Sequence, residues 1–175
     1  MITDWTKVKV YQIPIGQLPT PYAICDIFKD LGIEDYVYEI KCNNITIKFG
    51  MSIKTLIQSF GERLYRQLGH IPSWKKAAIS GSSGDEFLEI LNRVFAAYGI
   101  VVDHKDITIT VWDFTNYPYK TVNHKKEIEE AESELIVSYA KFHNQLPIGN
   151  IDDGSKAKNR AAVLADVYNN HFEEL

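Results

Sequence analysis

The sequence has no apolar run long enough to cross a bilayer as a helix, so no membrane span is expected. Cysteine is scarce, with Cys25 and Cys42 the only two. Two isolated thiols argue against a disulfide scaffold and against a cysteine-built zinc cluster. They fit a reducing, intracellular compartment, and a cytoplasmic protein is expected. The opening Met-Ile-Thr-Asp-Trp lacks the basic region and apolar stretch of a signal peptide. Excess positive charge is missing too. The formal net charge of -4 counts against coating nucleic acid by bulk charge. Repeats and low-complexity tracts are absent. The glycine-rich stretch Ser80-Gly-Ser-Ser-Gly84 lacks both the glycine spacing of a dinucleotide fingerprint and the Gly-Lys-Ser/Thr ending of a P-loop.

What is present suits one domain with short appendages: 175 residues, 45% of them hydrophobic. The charges are segregated. Between Lys48 and Lys76 the chain carries Lys48, Lys54, Arg63, Arg66, Lys75 and Lys76 against Glu62 alone. Between Glu127 and Glu134 it carries glutamates and no base. Two such segments can simply be solvated faces. They can also divide the work of a phosphate-cutting site, with cations for the backbone and a carboxylate for a metal.

Local patterns give the elements. Residues 7–13 alternate polar and apolar and read as a strand. Pro19 and Pro21 mark a turn, and residues 23–31 a short helix stopped by Gly32. Residues 36–42 and 45–49 are rich in β-branched and aromatic residues and flank Asn43-Asn44, a tight-turn pair, so they form a hairpin. Residues 61–68 read as helix, extending back toward Ile53 and ended by Gly69. A second helix spans 85–98, and Gly99 caps it. Residues 107–114 are a further strand. Asn123 caps a long helix over 124–143, and a last helix covers 156–172. Hairpin pairing predicts an α+β fold, a small antiparallel sheet flanked by helices. Residues 1–35 are read as an N-terminal extension, 36–150 as the main domain with a helical insertion at about 80–100, and 151–175 as a C-terminal helix packing on it.

The hairpin and the helix after it carry a resemblance. Tyr36-Val37-Tyr38-Glu39-Ile40 resembles the first half of the GIY-YIG nuclease motif, with Tyr38 at the tyrosine position. Lys48-Phe49-Gly50 resembles the second half. Gly61-Glu62-Arg63-Leu64-Tyr65-Arg66 resembles the helix that holds the family's catalytic arginine, with Arg63 the first choice and Arg66 the fallback. Glu132-Ser133-Glu134-Leu135-Ile136 resembles the helix that holds its metal-binding glutamate. Leu146-Pro147-Ile148-Gly149-Asn150 resembles the region of a structural asparagine. The resemblance spans residues 36–150. It departs from the family at Tyr36, where the motif has glycine, and in the enlarged segment carrying the helix over 85–98. It departs also at Lys48, where the motif has tyrosine, although restriction-enzyme-like members use lysine there. Members of this size occur among phage-encoded, mobile-element and restriction-type endonucleases.

The resemblance implies an endonuclease that hydrolyses DNA phosphodiester bonds with one Mg2+ or Mn2+. Glu132 would be the metal ligand, because a hard cation that keeps most of its waters needs few carboxylates. Glu130 and Glu134 compete for that role. Arg63 would hold a non-bridging phosphate oxygen with its planar fork. Tyr38 and Lys48 would orient and deprotonate water, which requires the Lys48 pKa to fall far below its free value of about 10.4. His70 and Asn150 are supporting candidates. Lys54, Trp74, Lys75 and Lys76 are candidates for DNA contact. A dimer is possible. The alternatives are a DNA-binding module without catalysis and an acidic protein-interaction domain. The register of the hairpin is a geometric check. A two-residue loop sends Tyr38 and Lys48 to opposite faces and groups Tyr36, Tyr38 and Ile40 with Ile45, Ile47 and Phe49. A three-residue loop, or a bulge, puts Tyr38 and Lys48 on one face.

Overall fold

The computed structural model describes residues 3–43, 45–54, 61, 64, 65, 68, 103–144, 147 and 150. Four strands and two helices are resolved among them: β1 (Lys9–Pro14), α1 (Ala23–Leu31), β2 (Tyr36–Cys42), β3 (Ile45–Ser52), β4 (Ile107–Asp113) and α2 (His124–His143). The strands form one antiparallel sheet in the order β1-β4-β2-β3, and the fold class is α+β. None of the described helices is long and apolar enough to cross a membrane. The expected helices over 85–98 and 156–172 lie outside the described residues, as does most of the one over 61–68. Of that segment Leu64, Tyr65 and Leu68 are helical, and the Tyr65 N–H donates to the Gly61 carbonyl at 2.9 Å.

Strand parity explains the two cores. Tyr36, Tyr38 and Ile40 of β2 alternate with Val37 and Glu39, and all five are buried. A central strand enclosed on both faces reads apolar almost throughout, with no polar side to expose. The first core lies under α1. Ile24, Cys25 and Phe28 of α1 meet Tyr36, Tyr38, Ile40, Ile47, Ile109 and Val111 there, with Leu64 and Leu68. The second lies under α2, where Ile128 and Ala131 meet Val37, Met51, Phe114 and Tyr117. Each fully buried Ile, Leu or aromatic contributes about 1.5–3 kcal/mol by leaving water. Trp112 is half-buried against this second core.

The helix ends follow their sequence signals. Gly32, at φ +68°, donates its N–H to the Lys29 and Phe28 carbonyls and stops α1. Only a residue without Cβ takes that left-handed conformation at no steric cost. At the start of α2, the Asn123 side chain accepts the Lys126 N–H at 3.2 Å. Before β1, Asp4 caps a short 3-10 turn over Trp5–Lys7, and that turn delays the strand to Lys9, two residues beyond the expected start. Through β4, β1 joins the same sheet as the hairpin.

The hairpin combines the two-residue loop with a bulge. Its loop is the two-residue one: Cys42 pairs with Ile45, and Asn43 sits at φ +50°. The pairing then slips between Ile40 and Lys41, where Lys41 faces Thr46 and Ile40 faces Lys48. Ile47 is the extra residue of a β-bulge. Beyond it, Tyr38 faces Gly50 and Tyr36 faces Ser52. Phe49, expected beside Tyr38, lies on the other face instead, against Trp112 and Tyr139 with ring centroids 6.2 Å away in each case.

Candidate functional site

The bulge sets the local geometry of the hairpin. With an unbroken two-residue hairpin, Lys48 would point toward α2. The extra residue turns it to the face of Ile40, two positions from Tyr38 on β2. Lys48 is half-buried, whereas Tyr38 is only 1% exposed. The Tyr38 ring lies directly across Gly50, and a Cβ at that glycine would meet the ring and hydroxyl at sub-van-der-Waals distance. Glycine at position 50 is therefore what lets Tyr38 lie flat on β3.

Leu64 and Leu68 pack in this Tyr38-side core. Arg63 and Arg66, along with His70, Trp74, Lys75 and Lys76, lie outside the described residues. Lys54, the remaining DNA-contact candidate, is exposed, and its Nζ pairs with Glu34 Oε1 at 3.0 Å.

Glu132 belongs to the opposite face. It falls on the stripe of α2 that runs through Ile128, Leu135 and Tyr139 toward the sheet, and it is half-buried. Because α2 packs over β3 and β2, only the edge strand β3 separates that stripe from the Lys48 side. Among the competing glutamates, Glu134 is committed elsewhere. Its Oε2 accepts the Trp5 indole N–H at 2.9 Å and its Oε1 accepts the Thr3 N–H at 3.2 Å. Glu130 is half-buried. The described residues hold no group of three or more His, Cys, Asp or Glu placed to bind a metal. A single carboxylate completed by water still suits Mg2+.

Asn150 closes the outer edge of β3. Its Oδ1 accepts the Phe49 N–H at 2.7 Å and its Nδ2 donates to the Phe49 carbonyl at 2.9 Å. The side chain thereby stands in for a neighbouring strand next to Lys48. Asn150 is itself buried, at 7% exposure, so the pair of bonds is shielded from water.

Several polar groups here were not read from the sequence. Glu39, on the α2 face of β2, is buried, accepts from the Thr46 hydroxyl at 2.9 Å and pairs with Lys41 at 3.6 Å. Its place in the apolar strand 36–42 was the available signal. The Tyr36 hydroxyl is enclosed and has no partner at hydrogen-bonding geometry among the described residues. Burial pushes its ionisation far above the ordinary tyrosine value, neighbouring Tyr38 adds to this, and nearby Ser52 and the Leu64 backbone offset it only in part. Tyr119 is raised likewise, first by burial and then by Asp35, and its ring stacks on His124 with centroids 3.9 Å apart. A shallow polar cavity of about 470 Å3 opens between Gly16, Asn43 and Asp106, and none of the candidate catalytic, metal or DNA-contact residues lines it.

Comparison of the chain with protein-family models, with curated proteins and with solved structures found no match.

Proposed function

We propose that this chain is a metal-dependent endonuclease of the GIY-YIG type, hydrolysing DNA phosphodiester bonds. The observation that carries the reading is the bulge. A two-residue loop alone would have separated Tyr38 from Lys48, and the slip at Ile40/Lys41 puts both on one face. Three further features support it. Gly50 lies under the Tyr38 ring. Asn150 pins the backbone of Phe49, next to Lys48. Glu132 is half-buried on the stripe of α2 that faces the sheet, across β3 from Lys48.

In this reading Glu132 holds the divalent cation, which would supply Lewis-acid stabilisation of the charge on the phosphate. Lys48, half-buried on the Tyr38 face, is the group that would activate the attacking water. Arg63 grips a non-bridging phosphate oxygen. Tyr38 is too enclosed to meet solvent here, so its part is to position Lys48 and β3. That enclosure also favours a second reading, a module that binds DNA without cutting it.

The test is plasmid nicking at low salt with and without Mg2+ or Mn2+, comparing wild type with Glu132→Ala and Arg63→Ala. Metal-dependent cleavage lost by about 10²-fold or more in both variants supports the nuclease. Cleavage retained in both sinks it. If wild type does not cut, salt-dependent retardation of the same DNA points to the binding module. No retardation points to a protein-interaction domain.

A further inference from the structure

Asn150 fixes the hydrogen-bonding phase of the whole sheet. The Phe49 N–H and C=O are both bonded to it, so they point away from β2. In an antiparallel sheet the N–H and C=O of one residue point the same way, and the direction alternates along the strand. Phe49 faces Glu39, so Glu39 must turn its backbone groups to β4, where it faces Thr110. Thr110 is then committed to β2. Gln12, which faces Thr110 from the far side, is left with its N–H and C=O pointing outward. Val10 shares that phase. Pro14 shares it too and offers a carbonyl only, which is why a proline is tolerated in this strand.

The two edges of the sheet therefore differ. The β3 edge is broken by the bulge and blocked by Asn150 at Phe49. The β1 edge is a straight ladder over Lys9–Pro14, with Lys9, Val10, Gln12 and Pro14 exposed and Val10 54% exposed. Among the described residues no strand pairs with this edge, and a regular open edge is a template for another strand. The charges at its two ends lean opposite ways: Lys7 and Lys9 outnumber Asp4, which pairs with Lys7 at 3.6 Å, and Asp103 and Asp106 outnumber Lys105. Lys7 and Lys9 lie at one end. At the other, the turn over Ile15–Gln17 packs on the turn over His104–Asp106, whose cap is Asp103.

We propose that a second copy of this chain pairs along β1, antiparallel, about a two-fold axis at Tyr11. Val10 of each copy then faces Gln12 of the other, and the outward groups of both are satisfied by about four hydrogen bonds. Tyr11 faces Tyr11 across the axis, an aromatic cross-strand pair. Lys9 faces Ile13, so the two lysines do not meet, and the Lys7 end of each copy reaches the Asp103–Asp106 end of the other. The assembly closes at two copies, because pairing uses both β1 edges and the β3 edges are blocked. The pairing is independent of whether the chain cuts DNA.

The test is sedimentation velocity on the full chain from low to high micromolar concentration. A reversible dimer is expected. Val10→Pro and Gln12→Pro each delete an N–H that serves only the outer edge, so each should keep the far-ultraviolet circular dichroism and weaken dimerisation by about tenfold or more. A Tyr11→Cys chain places the two sulfurs across a close, non-hydrogen-bonded pair and should form a covalent dimer on mild oxidation. Lys9→Cys, facing Ile13, should not; the native Cys25 and Cys42 are buried. A monomer at every concentration, a dimer indifferent to both prolines, or cross-linking through Lys9→Cys rather than Tyr11→Cys overturns the proposal. If either proline variant unfolds, the cysteine pair still decides.

Discussion

Gly50→Ala should be one of the most damaging single-methyl changes in this chain. Gly50 is not among the residues at positive φ, so alanine brings no backbone strain and the substitution probes space alone. The added Cβ would lie 2.8 Å from Tyr38 Cε1, with Cζ and Oη closer still. The ring cannot swing clear. Tyr38 is 1% exposed and packed in the core under α1, with the Tyr36 ring centroid 6.0 Å away. Overpacking of a tight core costs about 1–3 kcal/mol, and a clash with a trapped ring belongs at the top, about 3 kcal/mol. For a domain of this size that lowers Tm by about 6–12 °C. The assay is equilibrium urea unfolding followed by tryptophan fluorescence and circular dichroism, with coincident transitions as the two-state check. Tyr38→Ala alone should cost about 3–5 kcal/mol through its cavity. The double variant should cost no more than Tyr38→Ala, because the clash has no ring left to meet, giving a coupling of about 2–3 kcal/mol. Additive costs within about 0.5 kcal/mol would mean that Gly50 and Tyr38 do not touch, and the geometry of the hairpin would fall with that result.

Asn150→Ala should cost about 2–4 kcal/mol in the same assay, because it strands a buried N–H and C=O of Phe49, and the Phe49 amide should exchange faster with deuterium. Asn150→Asp should cost at least as much as Asn150→Ala at neutral pH, because its second oxygen would face the Phe49 carbonyl and its charge would be buried. The Cys42 thiol is pushed up to about 11, first by burial and then by the charges of Asp106 and Asp103. At pH 8 the native protein should react with a thiol reagent at Cys42 at least about 10²-fold more slowly than the unfolded chain. The sign follows: the folded state favours the protonated thiol, so this contribution is whole below the ordinary thiol pKa and lost as pH rises through 11. Glu127 runs the other way. Burial opposes its ionisation, but bonds from the Lys120 and Thr121 N–H groups and the Thr121 hydroxyl outweigh it and hold its carboxyl below the usual range. Its contribution is present above the ordinary carboxylate pKa and lost as pH falls through the folded value, so Glu127→Gln should flatten the acid limb of the stability curve. The effect should stay below about 1 kcal/mol, since solvent screens the group.

The sequence was legible where one signal decided an element. Gly32 stops α1, Asn123 opens α2, and Asn43-Asn44 turns the hairpin, each where its conformational preference placed it. The α+β class followed from the hairpin. The site was less legible. Glutamates crowd residues 127–134, and nothing in their spacing told which one Trp5 would hold, because that contact crosses more than a hundred residues. The same distance hid the clasp of Asn150 on Phe49. Tyr38 in a strand of alternating aromatics carried no sign that a glycine on the next strand would let it lie flat.

The hairpin register was hidden for a reason that ties fold to site. A period-two pattern fixes register when one face is apolar and the other polar, because a slip then puts apolar side chains in water. Here both faces are covered, one by α1 and the other by α2. Moving Phe49 from one core to the other leaves it buried in either case, so the hydrophobic pattern is nearly neutral to the slip. What is not neutral are the residues beside it. Without the bulge, Phe49 would meet Tyr38 under α1, where the space is already filled by Ile47 and Ile40, and Lys48 would face the buried Glu39 beneath α2. With the bulge, a glycine meets the Tyr38 ring and the lysine moves to the edge of the other face. The slip is therefore selected by Gly50, which alone leaves room for the Tyr38 ring, and not by the apolar residues around it. The same slip turns Lys48 to the Tyr38 face, on which the proposed chemistry depends, so the glycine that sets the register also sets which face the lysine takes.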